Sequence, residues 1–391
     1  RGGAPNENRF YIDGVEIPNI NHFTTQGSSG GPVGLINVDF ITDVDFYSGA
    51  FPASRGNTLS SVFEFRQKDG NPDRMGASLT LGSSDFATTL EGPLGKKTTY
   101  IASYRLSYLQ GLFKLIGLPF LPSYQDFQFK LKTRFNSKHE LTLLGLGALD
   151  KSTLNFEAED SESNQYLLAN LPTNNQDNYT IGAVYKNYRD KGYSTVVLSR
   201  NYLNNRADKF RDNNENDIRT LDYESKEIEN KLRIENSSKE GKYKINFGAG
   251  VDQANYSTST FQYVPGGVDQ YESELDLVKY GFFGQLSAPY FNDKLNLSVG
   301  VRFDGSNFTS RMNNPLRTFS PRFSAAYNLT DNISLNFNTG IYYQLPSYTV
   351  LGYRTSTGAP LLNKNVDYIQ SKQLVAGIEY NSLKNTKFTI E

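Results

Sequence analysis

The chain has no cysteine, no tryptophan, only two histidines and no long apolar run. Without thiols there are no disulfides, thiolate nucleophiles or zinc thiolate sites. His22 and His139 stand far apart, so catalysis would rest on carboxylate pairs, and none is isolated in an apolar stretch. The expectation is no enzyme, no metal and no cofactor. No segment approaches the roughly 20 apolar residues of a membrane helix. Hydrophobic residues make up 37% of the chain, below the usual about 45–50%. Lys+Arg 40 balance Asp+Glu 41, which leaves no net field to attract nucleic acid.

What is present is alternation. Leu295, Leu297, Val299, Val301 and Phe303 fall on one face of an extended segment, and Asn296, Ser298, Gly300, Arg302 and Asp304 on the other. Phe323, Ala325, Tyr327 and Leu329 alternate with Arg322, Ser324 and Asn328; Ile333, Leu335, Phe337 and Ile341 alternate with Ser334, Asn336 and Asn338. A period of two is a strand. These strands run to about 10 residues, the length of a tilted bilayer-crossing strand, against about 5–6 in a soluble sandwich. Low overall hydrophobicity fits a barrel with a wet lumen, because only every second residue meets lipid. The 26 tyrosines and 26 phenylalanines suit aromatic belts at two membrane interfaces.

From residue 75 onward the spacing predicts about fifteen such strands. Short links fall at 136–138, 189–191, 237–241, 291–293, 330–332 and 382–385. Long ones fall at 109–125, 150–178, 203–222, 257–276, 307–318 and 344–369. Tight periplasmic turns and longer extracellular loops give an outer-membrane barrel this asymmetry. An open edge has no partners in lipid, so a wall ending at Glu391 is expected to be truncated before closure. The opening Arg1, with no initiator Met, is expected to be a processed or incomplete N-terminus.

Residues 1–68 read differently. Phe10-Tyr11-Ile12-Asp13-Gly14-Val15 is a hairpin turned by Asp-Gly. Gly27-Ser28-Ser29-Gly30-Gly31 formally matches G-x-S-x-G, but no helix follows and no histidine is well placed, so it is a plain loop. Strands at Ile41 to Tyr47 and Ser61 to Phe65 flank turn chemistry that includes Ser48-Gly49 and Arg55-Gly56-Asn57. Residues 69–74 read as a linker to a barrel over 75–391.

The order Arg1-Gly2-Gly3, the Asp13-Gly14 hairpin, Ile41 to Tyr47, Gly49 and Arg55-Gly56 resembles the second half of the plug domain of TonB-dependent outer-membrane receptors. It departs from that pattern in having Arg55 for a usual Tyr and Phe63-Glu64-Phe65 for a usual Ile-Asn-Ile, and the variant is similar to receptors of the Bacteroidota. The resemblance implies an all-β transmembrane antiparallel barrel of about 22 strands around a small α+β plug, located in the bacterial outer membrane. Implied partners are TonB with its ExbB/ExbD energising complex and outer-membrane lipids. A surface lipoprotein or a larger outer-membrane assembly would be optional additions.

Several residues are candidates for the lumen. Lys130, Lys132 and Arg134 alternate with apolar neighbours and are expected on a solvated wall, pairing with plug carboxylates or forming part of a ligand path. Arg302, Asp304 and Arg322 share that expectation. Glu157, Glu159, Asp160 and Glu162, and Asp208, Asp212, Glu215 and Asp217, lack calcium-loop spacing and read as solvated loops. Tyr343, Tyr348 and Tyr353 flank the 344–369 loop, where they could face a ligand or belong to a girdle.

Four functions remain open at this point. An active importer gives a folded plug a purpose. A passive porin would not need residues 1–68. A non-transporting scaffold or sensor in a secretion or adhesion complex would carry the same sequence features, and a soluble all-β binding protein would not require detergent. The imported solute could be an iron chelate, vitamin, oligosaccharide or peptide, since a fold does not carry specificity.

Overall fold

The computed structural model describes residues 3–28, 30–158, 161–382 and 386–391. Arg1, Gly2, Ser29, Glu159, Asp160 and the link residues 383–385 lie outside the described residues.

The N-terminal unit is a four-stranded sheet ordered β2-β1-β6-β5. Its strands are β1 (Asn8–Ile12), β2 (Val15–Ile17), β5 (Ile41–Tyr47) and β6 (Ser61–Gln67); a two-stranded ribbon joins β3 (Asn21–His22) to β4 (Val33–Gly34). Asp13 and Gly14 both have positive φ, 47° and 92°, as a tight primed hairpin turn between β1 and β2 requires. Strands β1 and β6 run parallel. The only helical segments among its described residues are 3-10 turns at Pro5–Glu7 and Val38–Phe40.

Residues 76–390 supply one antiparallel sheet of fifteen strands, each paired with its sequence neighbours, with β7 and β21 as its two edges. The strands are β7 (Gly76–Leu81), β8 (Asp85–Pro93), β9 (Thr98–Ser107), β10 (Phe120–Arg134), β11 (His139–Leu154), β12 (Thr173–Arg189) and β13 (Gly192–Phe210). Then come β14 (Arg219–Glu240), β15 (Tyr243–Val264), β16 (Gly267–Tyr290), β17 (Leu295–Ser306), β18 (Ser320–Asn328), β19 (Ile333–Gln344), β20 (Ile369–Asn381) and β21 (Lys387–Ile390). Among the described residues three short α-helices lie in the connections between these strands: α1 (Leu109–Leu115), α2 (Glu162–Asn170) and α3 (Tyr348–Leu351).

The alternation predicted from sequence sorts the two faces of this sheet. Leu198, Val299, Leu374 and Ile378 are exposed on the outer face, whereas Leu144, Val184 and Val197 are buried against Val15 of β2. Two further apolar patches seat the N-terminal sheet on the inner wall. Phe10, Ile12, Ile17 and Leu35 pack on Leu146 and Ala148; Tyr11, Phe51, Leu59 and Val62 pack on Tyr342.

Of the expected long loops, one is absent and another is much shorter. The stretch 257–276 is the top of a hairpin in which β15 and β16, of 22 and 24 residues, stay paired up to Val264 and Gly267. The stretch 203–222 shrinks to 211–218, because β13 and β14 remain paired as far as Phe210 and Arg219. Crossing a bilayer takes only about 9–11 residues. Beyond that length no lipid covers the outer face, while Thr258 and Thr260 on the inner face are buried as polar side chains, so the apolar alternation is absent from Ser257-Thr258-Ser259-Thr260 although the backbone ladder continues. Loop length therefore does not alternate strictly as expected.

Candidate functional site

The inner wall grips the N-terminal unit through side chains that strand alternation places on one face. Along β10, Asp126, Gln128 and Lys130 are buried. Lys130 Nζ lies 3.0 Å from Asp13 and 2.9 Å from Asp69, and also donates to Gln67 O at 2.9 Å. Lys132 bridges Asp69 and Glu140 at 3.1 and 3.3 Å, and the more exposed Arg134 reaches the same pair. Burial would raise the Asp69 carboxyl pKa, but hydrogen bonds and charge from Lys130 and Lys132 outweigh it and hold the group below its ordinary value. Asp69, the first residue of the expected linker 69–74, is thereby tied to the wall.

On the opposite wall, arginines hold backbone carbonyls. Arg322 donates to Phe51, Pro52 and Arg55 oxygens at 3.0, 2.6 and 2.8 Å. Arg302 forks onto Asp304 at 2.6–3.0 Å and reaches Ala53 and Ser54 oxygens. A Cβ on Gly56 would lie 2.1 Å from Arg302 Nε, which accounts for a glycine beside this fork. Arg55 pairs with Glu64 at 2.6 Å and with Glu235 of β14 at 3.0 Å, over the ring of Tyr11. Burial and the nearby Glu16 push the Tyr11 phenol pKa up to about 12.

Sequence alone missed two clusters. In one, Glu16 meets Lys231 at 3.1 Å; Lys231 meets Glu229, Glu229 meets Lys279, and both Lys279 and Glu229 bond the Tyr348 hydroxyl. In the other, His22 is completely buried. Its ring nitrogens sit 2.6 Å from Asp150 and 3.1 Å from Asp126. Arg105 bonds Asp126 at 2.7 Å, and Tyr124 packs against the imidazole at 4.2 Å between centroids. Burial lowers an imidazole pKa, but the hydrogen bonds and charges of the two aspartates more than reverse this, so His22 titrates above its ordinary value. Alternation marks Asp126 and Lys130 as sharing a face; nothing in the sequence marks His22 as their partner.

Directly above His22 lies a cavity of about 930 Å³. Its floor is the loop that β3 and β4 bracket, with Phe23, Thr24, Thr25, Gln26, Pro32 and Val33. The walls come from the upper ends of β10 to β14 and from α1, including Phe113, Phe120, Asn174, Gln176, Asn205 and Tyr223. The floor is held in place: Phe23 N–H donates to Asp150 at 2.8 Å, Thr24 hydroxyl to Gln176 at 3.2 Å, and Asn205 to Gln26 at 2.9 Å.

None of the three candidate tyrosines lines this cavity. Tyr348 is buried in the Lys279–Glu229 cluster. Tyr343 accepts from Gln370 at 2.6 Å, and Tyr353 packs edge-on against Tyr271 at 5.4 Å. Among the plug-motif residues, Gly3 abuts Ser60, and Gly49 has a φ of 137°. Among the described residues no group of three His, Cys, Asp or Glu side chains is arranged to hold a metal ion.

Residues 120–391 match the family model described as TonB dependent receptor-like, beta-barrel. The chain belongs to that family. Its members are outer-membrane barrels, so the exposed apolar face meets lipid, and the long-strand end points out of the cell. Nothing among curated protein sequences matches significantly. Among solved structures, the chain is similar to a mutant of the ferric enterobactin receptor PfeA from Pseudomonas aeruginosa in complex with enterobactin. The TM-score is 0.70 at 14% identity, covering 97% of this chain and 62% of that one. The siderophore receptor PirA from Acinetobacter baumannii gives 0.71 at 15%, covering 97% and 61%. The copper transporter OprC gives 0.67 at 14%, covering 97% and 62%. At such identities the shared property is the fold, a barrel wall with a plug on its inner face. The chain spans a little under two thirds of the length of these relatives.

Proposed function

We propose that this protein is an outer-membrane importer that captures a scarce solute in the cavity above Phe23 and passes it inward when TonB, with ExbB/ExbD, pulls on the plug. In this reading residues 1–68 act as the plug, 69–74 as its tether and 75–391 as barrel wall. The observation that carries the proposal is the placement of the cavity: its floor belongs to the plug and its walls to the barrel, so moving the plug changes the site. The plug's seating supports it too. Many plug–wall contacts are ion pairs and hydrogen bonds, which water can replace one at a time as the plug shifts. A passive porin has no use for such a floor.

The test is purification from native outer membrane in detergent, followed by mass spectrometry of every co-purifying chain and small molecule. An importer yields a bound solute, alone or with a surface lipoprotein. Recovery within a stoichiometric secretion or adhesion assembly, with no solute, would replace import by the scaffold reading.

A further inference from the structure

Resting on the import reading, we infer that the cavity above Phe23 selects an uncharged, hydroxyl-rich ligand with flat apolar faces, the chemistry of a short neutral oligosaccharide. Three features of the lining point there.

The first is charge. The ionisable lining groups that carry charge, Asp150 and Arg206, already have partners. Asp150 is engaged by His22 and by Phe23 N–H, and Arg206 pairs with Glu224 at 3.1 Å. A multiply anionic chelate entering this pocket would meet a single cation among the described lining residues, Arg206, whose charge Glu224 already balances. Moving an unpaired charge out of water is strongly unfavourable, so such a ligand is selected against.

The second is aromatic surface. Phe113 and Phe120 meet edge to face, 5.4 Å between centroids, and are half-buried. With Phe23 on the floor and Tyr223 on the far wall, they offer flat apolar platforms on several sides. A sugar ring presents a C–H face of matching shape.

The third is the density of amides. Gln26, Asn174, Asn175, Gln176 and Asn205 all border the cavity; Gln176 and Asn205 are buried and committed to the floor, so the exposed Asn174 and half-buried Asn175 are the amides that a ligand reaches first. A carboxamide offers donors and acceptors together, which suits hydroxyl groups that also do both. Pockets of this size hold ligands of a few hundred daltons or more, enough for several sugar rings.

The experiment is native mass spectrometry of the full-length protein in detergent. The probes are a library of neutral hexose and pentose oligosaccharides, the same sugars bearing sulfate or carboxylate, and an iron tris-catecholate. The inference predicts that at least one neutral oligosaccharide is retained, tenfold or more tighter than its charged counterpart. Phe113→Ala, on a surface helix, should weaken it about tenfold. Asn174→Arg should shift the preference towards the charged sugar; because Asn174 is exposed, this variant also reports if Phe113→Ala fails to fold. Tighter binding of the tris-catecholate, or retention of no neutral sugar, would overturn the assignment. Retention without energy-dependent uptake by cells would instead remove the import reading and leave the ligand class standing. Energised uptake of an anionic chelate would do the reverse.

Discussion

His22 Nδ1 lies 2.6 Å from Asp150 Oδ1, and the other oxygen of the same carboxylate accepts from Phe23 N–H at 2.8 Å. One barrel aspartate therefore holds both the plug histidine and the first residue of the cavity floor.

This arrangement gives the floor a pH dependence. The groups around the imidazole are Asp126, Asp150 and the guanidinium of Arg105; burial lowers its pKa, but the hydrogen bonds and charges of the two aspartates outweigh that and raise it over the ordinary value of about 6.5. A raised folded-state pKa means the stabilisation is fully present below about 6.5 and is lost as pH rises through the folded-state value. Hydrogen exchange at Phe23 and Thr24, corrected for intrinsic rates, should accelerate on the alkaline side. In Asp126→Asn that acceleration should begin at lower pH. Protection that is flat or increases with alkali contradicts the clamp.

The Lys130 cluster makes an acid-side prediction. Asp69, with its pKa held low by Lys130 and Lys132, contributes stability above its unfolded pKa and loses it as pH falls through the folded one. Lys130→Met leaves Asp13 without its cation, while Asp69 keeps Lys132 and Arg134 and is partly screened by water, so the loss should be below the about 3–5 kcal/mol of a fully buried pair. Denaturant unfolding of the N-terminal unit should show that loss, partly restored by adding Asp69→Asn. Additive single and double mutants would mean that the pair is not coupled.

Gly56→Ala should destabilise the plug seat by about 1–3 kcal/mol, the usual cost of overpacking. The added methyl meets Arg302, which is fixed by its fork onto Asp304 and cannot swing aside freely. Thermal unfolding checks it, and an unchanged midpoint would show that Arg302 is mobile.

The lipid face is tested by Val299→Arg. Val299 is 54% exposed on the outer side of β17, and arginine at mid-bilayer on a barrel costs about 2–4 kcal/mol. Urea unfolding in lipid vesicles should show that loss, whereas Ser298→Arg on the inner parity should show a different, smaller dependence on lipid thickness. Equal behaviour of the two variants would mean that the faces are misassigned.

Much of the wall was legible in the sequence because lipid on one side and water on the other enforce a period of two. Leu295 to Phe303 declare their outward face, and Arg302 and Arg322 thereby declare themselves inward. That logic stops at the membrane surface, so the tall hairpin of β15 and β16 resembled a loop. It also fails where contacts are long-range. Nothing local to His22 announces Asp126 and Asp150, more than a hundred positions away, and nothing in the loop carrying Tyr348 announces its burial between Lys279 and Glu229. The cavity was invisible for the same reason: its floor and walls come from separate parts of the chain.

The measurement that tests the account most directly exploits the absence of native cysteine. A Cβ built on Gly182 would lie 3.2 Å from Val15 Cβ, near the about 3.5–4.5 Å of a disulfide, so Val15→Cys with Gly182→Cys can lock plug to wall. Uptake into cells is then followed for the solute that co-purifies with the native protein. The account predicts that the oxidised variant still binds the solute but does not import it, and that reduction restores import. Undiminished import through a fully cross-linked plug would contradict it.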